Sequence, residues 1–259
     1  MLNNKNIVII GGTSGIGLSA AKAFIKYGAK VVAVGRNRET CEKAQQELGP
    51  LGLVFPGDAT QEDTASRAIE LCLKEWGNFD GLYHVAGGSG RRMGDGPLHE
   101  ITLEGWNKTL ELNLTSVMLS NRAAVKAFLD AGKEGTILNM GSVLGFSPAP
   151  KYFTTHTYAA AKAAIIGLSK SMAAYYAKNN IRFNVIAPAL VETPMAQRAA
   201  TDAAIINYIQ TKQPLDGGRI GRPEDLDGAA CFFMSEHSKF TTGQVLAIDG
   251  GWEVSEGQI

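Results

Sequence analysis

Cysteine is scarce, and charge has no preferred sign. The three cysteines, Cys41, Cys72 and Cys231, are odd in number, far apart and without C-x-x-C spacing. That excludes a disulfide frame and a zinc site and fits a reduced, cytoplasmic protein. The four histidines, His84, His99, His156 and His237, show no metal spacing either, so no metal is expected. Lys and Arg together number 25, as do Asp and Glu, scattered along the chain. Without a basic patch, neither nucleic acid nor an anionic membrane is an expected partner. No apolar run reaches the roughly 18 residues of a spanning helix. Residues 1 to 6 lead straight into Ile7-Val8-Ile9-Ile10 with no signal-peptide pattern. Charged residues are only 19%, against a typical value of about a quarter, while 45% are apolar. A chain of 259 residues with that composition can bury one large core and still present apolar surface for a homo-oligomer.

Glycine, by contrast, is plentiful at 30 residues, which points to tight turns around a ligand or between packed elements. Short apolar, β-branched runs recur at residues 6 to 10, 30 to 34, 52 to 55, 81 to 85, 136 to 140, 182 to 186 and 244 to 248. Each reads as a buried strand, and segments of helical spacing lie between them. The alternation predicts a single-domain α/β fold over 1–259: a doubly wound parallel sheet of seven strands with helices on both faces. Two connections are too long to be simple crossovers, residues 87 to 97 and residues 193 to 222. Within the second, Ala199, Ala200, Ala203 and Ala204 alternate with Ile205, Ile206 and Ile209. This predicts a short amphipathic helix in a substrate lid at about 194 to 215, its apolar side awaiting a substrate.

Gly11, Gly15 and Gly17 form G-x-x-x-G-x-G between the first strand and its helix, where backbone N–H groups can face a pyrophosphate. Gly90, Gly94 and Gly96 repeat the spacing, but they run into Pro97 instead of joining a strand to a helix, so context selects the first set. The second strand ends at Gly35-Arg36, where an NAD-binding loop would carry an acid for the ribose hydroxyls. Gly35 leaves room and Arg36 offers a fork of donors suited to a 2′-phosphate, which favours NADP(H). Arg38 is a candidate to share that contact. Asp58 with Ala59 suits an adenine edge, although an aspartate capping the helix near Gln61 is an equal reading.

Tyr158 and Lys162 lie one turn apart on one helix face, as do Tyr208 and Lys212. A cation about 5 Å from a phenol, at an effective dielectric of about 20, contributes roughly 3 kcal/mol, or about two pKa units. That moves the phenol toward the working range of a general acid. Ser142 follows the fifth strand, at the sheet edge where open α/β folds bind ligands, and Tyr158 begins the next helix. Asn113 falls on the apolar face of its helix, where its amide needs partners; a satisfied core amide is the competing reading. His84 reads as a core histidine. Arg91 and Arg92, in the first long loop, suit a substrate carboxylate or phosphate, with solvated surface arginines the plainer alternative.

Taken together, the chain resembles the short-chain dehydrogenase/reductase family over about residues 5 to 252. The resemblance rests on GGTSGIG (11 to 17), Asp58, HVAG (84 to 87), Asn113, Ser142, YAAAK (158 to 162), PALVET (188 to 193) and TGQVLAIDGGW (242 to 252). It implies a Rossmann-like fold and a homotetramer. It also implies roles. Tyr158 protonates the substrate carbonyl, Lys162 lowers its pKa and holds the nicotinamide ribose, Ser142 positions substrate, and Asn113 supports a water relay. Cofactor contacts would come from Gly11, Thr13, Ser14, Gly15, Ile16, Gly17, Gly35, Arg36, Asp58, Ala59, Ala86, Gly87, Pro188, Val191 and Thr193, the last beside the nicotinamide. Three features depart from the family pattern: His84-Val85 stands for Asn-Asn, Pro188-Ala189 stands for Pro-Gly, and the Ser142-to-Tyr158 interval is about three residues longer. The reading is an NADP(H)-dependent oxidoreductase acting on a small carbonyl or secondary alcohol. Its alternative is a nucleotide-binding regulator or scaffold that keeps the fold without turnover.

Overall fold

The computed structural model describes residues 1–257, in which seven parallel strands form one sheet in the order β3-β2-β1-β4-β5-β6-β7. The strands are β1 (Asn6–Ile10), β2 (Lys30–Gly35), β3 (Gly52–Pro56), β4 (Gly81–His84), β5 (Gly135–Met140), β6 (Ile181–Pro188) and β7 (Val245–Ile248). Each lies within two residues of its expected place. Every residue of β1 is buried, because its alternate side chains enter two different cores. Ile7 and Ile9 pack with α1 (Gly15–Lys26) and α9 (Asp227–Met234) through Phe24, Phe233 and Met234. Val8 and Ile10 face α3 (Thr64–Trp76) and α5 (Ser116–Asp130) through Ala68, Ile69 and Phe128. Each such aliphatic side chain, fully withdrawn from water, contributes about 1.5–3 kcal/mol.

The remaining helices are α2 (Arg38–Leu48), α4 (Leu103–Leu110), α6 (His156–Tyr176), α7 (Gln197–Thr201) and α8 (Ala203–Lys212). A buried amide pair fixes α5 and α6 against β5. Asn121 and Asn139 each donate Nδ2 to the other's Oδ1 at 2.9 Å, and Asn139 also donates to Ser169 Oγ at 3.0 Å. Fully satisfied polar networks of this kind specify one register. Between α4 and α5 the expected helix is interrupted by a π-turn, Glu111–Thr115. The cause is local. The Asn113 side chain donates to the Thr109 carbonyl at 2.9 Å, the oxygen that its backbone N–H would take in an α-helix.

Candidate active site

The sheet order reverses at β1, and a cavity of about 550 Å³ opens there, along the carboxyl ends of β2, β1, β4, β5 and β6. Such a crevice is where open α/β sheets bind ligands. Of the catalytic and cofactor-binding residues that the family resemblance implies, all but Gly17 and Asn113 line it.

At the β1 end, Gly11 has φ +88°, and a Cβ there would lie 2.6 Å from the Ala86 nitrogen. The positive φ and the close backbone approach both require glycine. Helix α1 then starts without a side-chain cap, leaving its first-turn N–H groups facing the cavity, as an anion site needs. Gly17 instead packs under the loop, its absent Cβ replaced by the Gly11 carbonyl. The decoy Gly90, Gly94 and Gly96 set forms a separate turn around Arg91–Met93.

Gly35 differs from expectation. The space beside it is not open: a Cβ would lie 2.0 Å from Thr13 Oγ1, so glycine is needed to seat Thr13. Arg36 remains exposed at the cavity rim, 3.9 Å from an Asp58 carboxylate oxygen. Arg38 is not there; it pairs with Glu42 at 2.9 Å on α2. Asp58 takes the Thr60 N–H and hydroxyl at 3.0 and 2.9 Å in a local turn; it caps no helix, since α3 begins only at Thr64 with Asp63 at its cap position, and it also lines the cavity. Desolvation pushes its carboxyl up, but the Thr60 bonds and Arg36 outweigh this and hold it below the usual range.

At the β5 end, Ser142 is buried and its hydroxyl both accepts the Leu144 N–H at 3.2 Å and meets the Tyr158 phenol. Lys162 is 3% exposed, donates to the Met140 carbonyl at 2.9 Å, and lies 5.5 Å from the centre of the Tyr158 ring. Burial lowers its pKa to about 8. The lysine is thus placed as expected, but the phenol is not lowered: desolvation pushes Tyr158 up, with the Ser142 bond opposing. Helical spacing sets the nearness of the cation, whereas burial of the phenol, which acts in the opposite sense, comes only with the tertiary fold. Tyr208 and Lys212 lie elsewhere, Tyr208 in a separate apolar cluster and Lys212 donating to the Ser255 carbonyl. Asn113 is a satisfied amide: it accepts the Gly88 N–H at 3.0 Å and donates to the Gly88 carbonyl at 2.9 Å, fixing the backbone beside Lys162.

Residues 11–253 match the family model described as enoyl-(acyl carrier protein) reductase. A 2,5-dichloro-2,5-cyclohexadiene-1,4-diol dehydrogenase from Sphingobium indicum is 32% identical over 97% of this chain and 98% of its own length. This chain belongs to the short-chain dehydrogenase/reductase family. A cis-4-hydroxycyclohexanecarboxylate dehydrogenase from Sinomonas cyclohexanicum is 33% identical over 95% of each chain. Among solved structures, a 3-ketoacyl-(acyl-carrier-protein) reductase from Brucella melitensis, complexed with NADH, superposes with TM-score 0.86 at 29% identity, covering 98% of this chain and all of that one. The protein is therefore an oxidoreductase of a family that uses a nicotinamide cofactor, and the α1 loop and the Tyr158–Lys162 end of its cavity fit such a group.

Within this family member, the departures at β4 have a structural account. His84 is fully buried, with Nδ1 2.7 Å from Ser120 Oγ and Nε2 3.1 Å from the Ala86 carbonyl. Burial and then the Lys162 charge lower its pKa to about 3, so the ring is neutral, and Nε2 carries the proton that a carbonyl accepts. It is a core histidine, as expected. Among the described residues no group of three His, Cys, Asp or Glu is placed to hold a metal, and no helix is long and apolar enough to cross a membrane.

Three contributors escaped the sequence. Gln213, 2% exposed, clamps Leu190 on the β6 loop, accepting its N–H at 3.0 Å and donating to its carbonyl at 3.2 Å. Asp95 holds the start of α6 through the N–H groups of Thr157 and Tyr158. Trp252, buried in the C-terminal segment, donates to the Ser147 carbonyl and walls the cavity with Phe153. The chain after Thr193 is two helices. Ile205 and Ile209 of α8 are already covered by the cluster of Val143, Tyr208 and Trp252, so no substrate is needed to bury them. Residues 194 to 196 and α7 border the cavity instead. Arg91 lines the cavity; Arg92 does not.

Proposed function

We propose that this protein is an NADP(H)-dependent oxidoreductase interconverting a carbonyl and a secondary alcohol on a small molecule. The observation that carries the reading is the Tyr158 phenol, sharing the cavity wall with Ser142 and with the buried Lys162 ammonium over its ring, in a cavity that begins at a glycine-rich helix start. A bound nicotinamide supplies or accepts the hydride. The chain's task is one proton and one geometry. Tyr158 gives its proton to the carbonyl oxygen during reduction and takes it back during oxidation. Ser142 donates to the same oxygen and orients it. Lys162 favours the phenolate left behind and is positioned to meet ribose hydroxyls, while Asn113 holds Gly88 and so the floor beneath Lys162.

Cofactor contacts are assigned to Gly11, Thr13, Ser14, Gly15, Ile16, Ala86, Gly87, Pro188, Val191 and Thr193, with Asp58 and Ala59 at the adenine. Arg36 at the cavity rim favours the 2′-phosphate of NADP(H). The relatives' names, a cyclic diol dehydrogenase and a hydroxycyclohexanecarboxylate dehydrogenase, support a secondary alcohol or ketone as the reacting group. The buried thiols Cys41, Cys72 and Cys231 suit a reducing cytoplasm, and exposed Met118, Leu129 and Tyr175 on α5 and α6 suit a homotetramer. Light scattering checks the latter.

Purified protein with NADPH or NADH and a panel of ketones, oxoacyl thioesters, sugars and steroids tests the reading. Turnover is expected with at least one ketone and lost in Tyr158→Phe, which keeps cofactor binding. Cofactor binding without turnover of any carbonyl would favour the regulator instead.

A further inference from the structure

Two arginines from distant parts of the chain meet at one carbonyl oxygen. Arg91, in the loop after β4, donates to the Tyr152 carbonyl at 3.1 Å, and Arg198, on α7, donates to the same oxygen at 3.4 Å. Both line the cavity that Tyr158 and Ser142 line. We propose that Arg91 and Arg198 form a subsite for a carboxylate of the substrate, so that the preferred substrates are oxo acids or hydroxy acids. The inference rests on the reading of Tyr158 as the group that handles the carbonyl proton.

Each guanidinium carries five N–H donors, and among the described residues the Tyr152 oxygen is the one hydrogen-bond acceptor that either has. Neither has a carboxylate within ion-pair distance there. Arg38, Arg67, Arg122 and Arg219 all do. The acid closest in sequence to Arg91 that is buried with it, Asp95, has committed one oxygen to the Thr157 N–H and the other to the Tyr158 N–H. It offsets part of the charge on Arg91 but makes no ion pair with either arginine. Burial and the neighbouring Arg198 charge both weigh on the Arg91 guanidinium, and Asp95 opposes them. Two like charges held together over a partly dry cavity repel. A planar carboxylate placed between them converts that repulsion into two charge-assisted, fork-shaped contacts.

The position fits a substrate with two ends. Tyr152 and Tyr158 lie on one continuous segment, six residues apart, so the carbonyl that gathers the two arginines sits on the lead-in to the tyrosine's own helix. The lining nearby is apolar, with Leu144, Phe153, Leu190 and Trp252. That composition suits a hydrocarbon body between a ketone at Ser142 and an anion at the arginines.

Steady-state kinetics with NADPH on 4-oxocyclohexanecarboxylate and levulinate, each beside its methyl ester, test the proposal. The acid is expected to exceed its ester at least tenfold in kcat/KM. That ratio should fall severalfold in Arg198→Gln, an exposed helix position, and to about one in Arg91→Gln/Arg198→Gln. Equal kcat/KM for acid and ester, with both turned over, overturns the subsite and leaves the oxidoreductase reading standing. An acid preference that survives in the double variant overturns it too. So does a weakened NADPH Kd with the preference unchanged, since the arginines would then serve the cofactor. Failure of every ketone, charged or neutral, overturns the reading beneath it.

Discussion

The carboxylate of Asp95 accepts the backbone N–H of Tyr158 at 2.8 Å, and its other oxygen accepts that of Thr157 at 3.0 Å. These are the second and third N–H groups of α6, the ones a helix's own cap residue normally serves. Thr155, at the cap position, makes no such bond. The cap of the tyrosine-bearing helix therefore comes from the glycine-rich loop 87 to 97, and loop and tyrosine are held as one unit. Asp95→Ala is expected to lower stability by about 1–2 kcal/mol, the usual value of a lost cap. It should also lower kcat at least tenfold with little change in the KM for NADPH. Asp95→Asn, which retains one acceptor, should recover part of both. Thermal unfolding and a kcat-against-KM comparison check this; a Tm loss with kcat intact would make Asp95 a stability residue only.

Arg36 carries the cofactor preference. It is exposed and has only a long contact to Asp58, so its donors are available to a phosphate. A charge-assisted contact is worth about 1.5–3 kcal/mol. Arg36→Ala is therefore expected to weaken NADPH by about 10- to 100-fold and NADH by less than twofold, read by fluorescence titration. Equal affinity for both cofactors in the unmodified protein would remove the argument, and the NADH complex of the Brucella relative makes the comparison worth running.

Most of the fold was legible because its signals are local. The strand runs show in sequence since parallel strands buried on both faces need unbroken apolar segments, as in Ile7-Val8-Ile9-Ile10. Gly11 was legible because a strand-to-helix turn with positive φ tolerates little else. What was not legible acts across the chain: Asp95 reaches 63 residues to Tyr158, Gln213 reaches 23 to Leu190, and Arg198 reaches 46 to Tyr152. No spacing rule joins such pairs. The Tyr158 phenol shows a different gap. Spacing gave the cation's distance, but the opposing desolvation depends on how the folded chain closes around the phenol. The π-turn at Asn113 has another reason: it turns on the Asn113 side chain taking the Thr109 carbonyl, a competition that helical spacing does not show.

Lys162 gives a pH dependence of defined sign. Burial holds its folded pKa near 8, below the unfolded value of about 10.4. Between those values the unfolded chain binds a proton that the folded chain does not, so stability rises with pH across that window. Activity runs the other way: loss of the ammonium above pH 8 removes the charge that favours the Tyr158 phenolate. For the free enzyme, kcat/KM for ketone reduction should fall as pH rises through about 8, and Lys162→Arg should move that fall upward. A profile flat to pH 10 would show that Lys162 keeps its proton in the working enzyme.

The lid expectation is narrower than the sequence suggested, because α8 is docked by its own cluster and α7 is the part that borders the cavity. Hydrogen exchange with NADPH and a ketone analogue should increase protection at residues 195 to 201 and leave 205 to 212 unchanged. Equal protection with and without ligand at residues 195 to 201 would leave the lid without support.

Asp227 is a buried carboxylate that works against the fold. At the start of α9 its Oδ2 accepts the Ser19 hydroxyl at 2.8 Å, while Oδ1 is buried with no hydrogen-bond partner. Desolvation raises its pKa to about 6, aided by Glu224 and opposed by Ser19 and Lys22. Its unfolded value is near 3.9. The folded chain thus binds the extra proton between about 4 and 6, and stability falls as pH rises through that window. Asp227→Asn keeps an acceptor for Ser19 and has no charge to desolvate. It also loses the favourable carboxylate at a helix start, and solvent screens part of the penalty. The net expectation is a gain of about 1 kcal/mol at pH 7 that shrinks toward zero at pH 4, where the native carboxyl is already protonated. Urea unfolding at both pH values measures it. Asp227 lies outside the cavity lining, so kcat should not change, and a variant less stable at pH 7 would mean that the helix-start charge outweighs the desolvation.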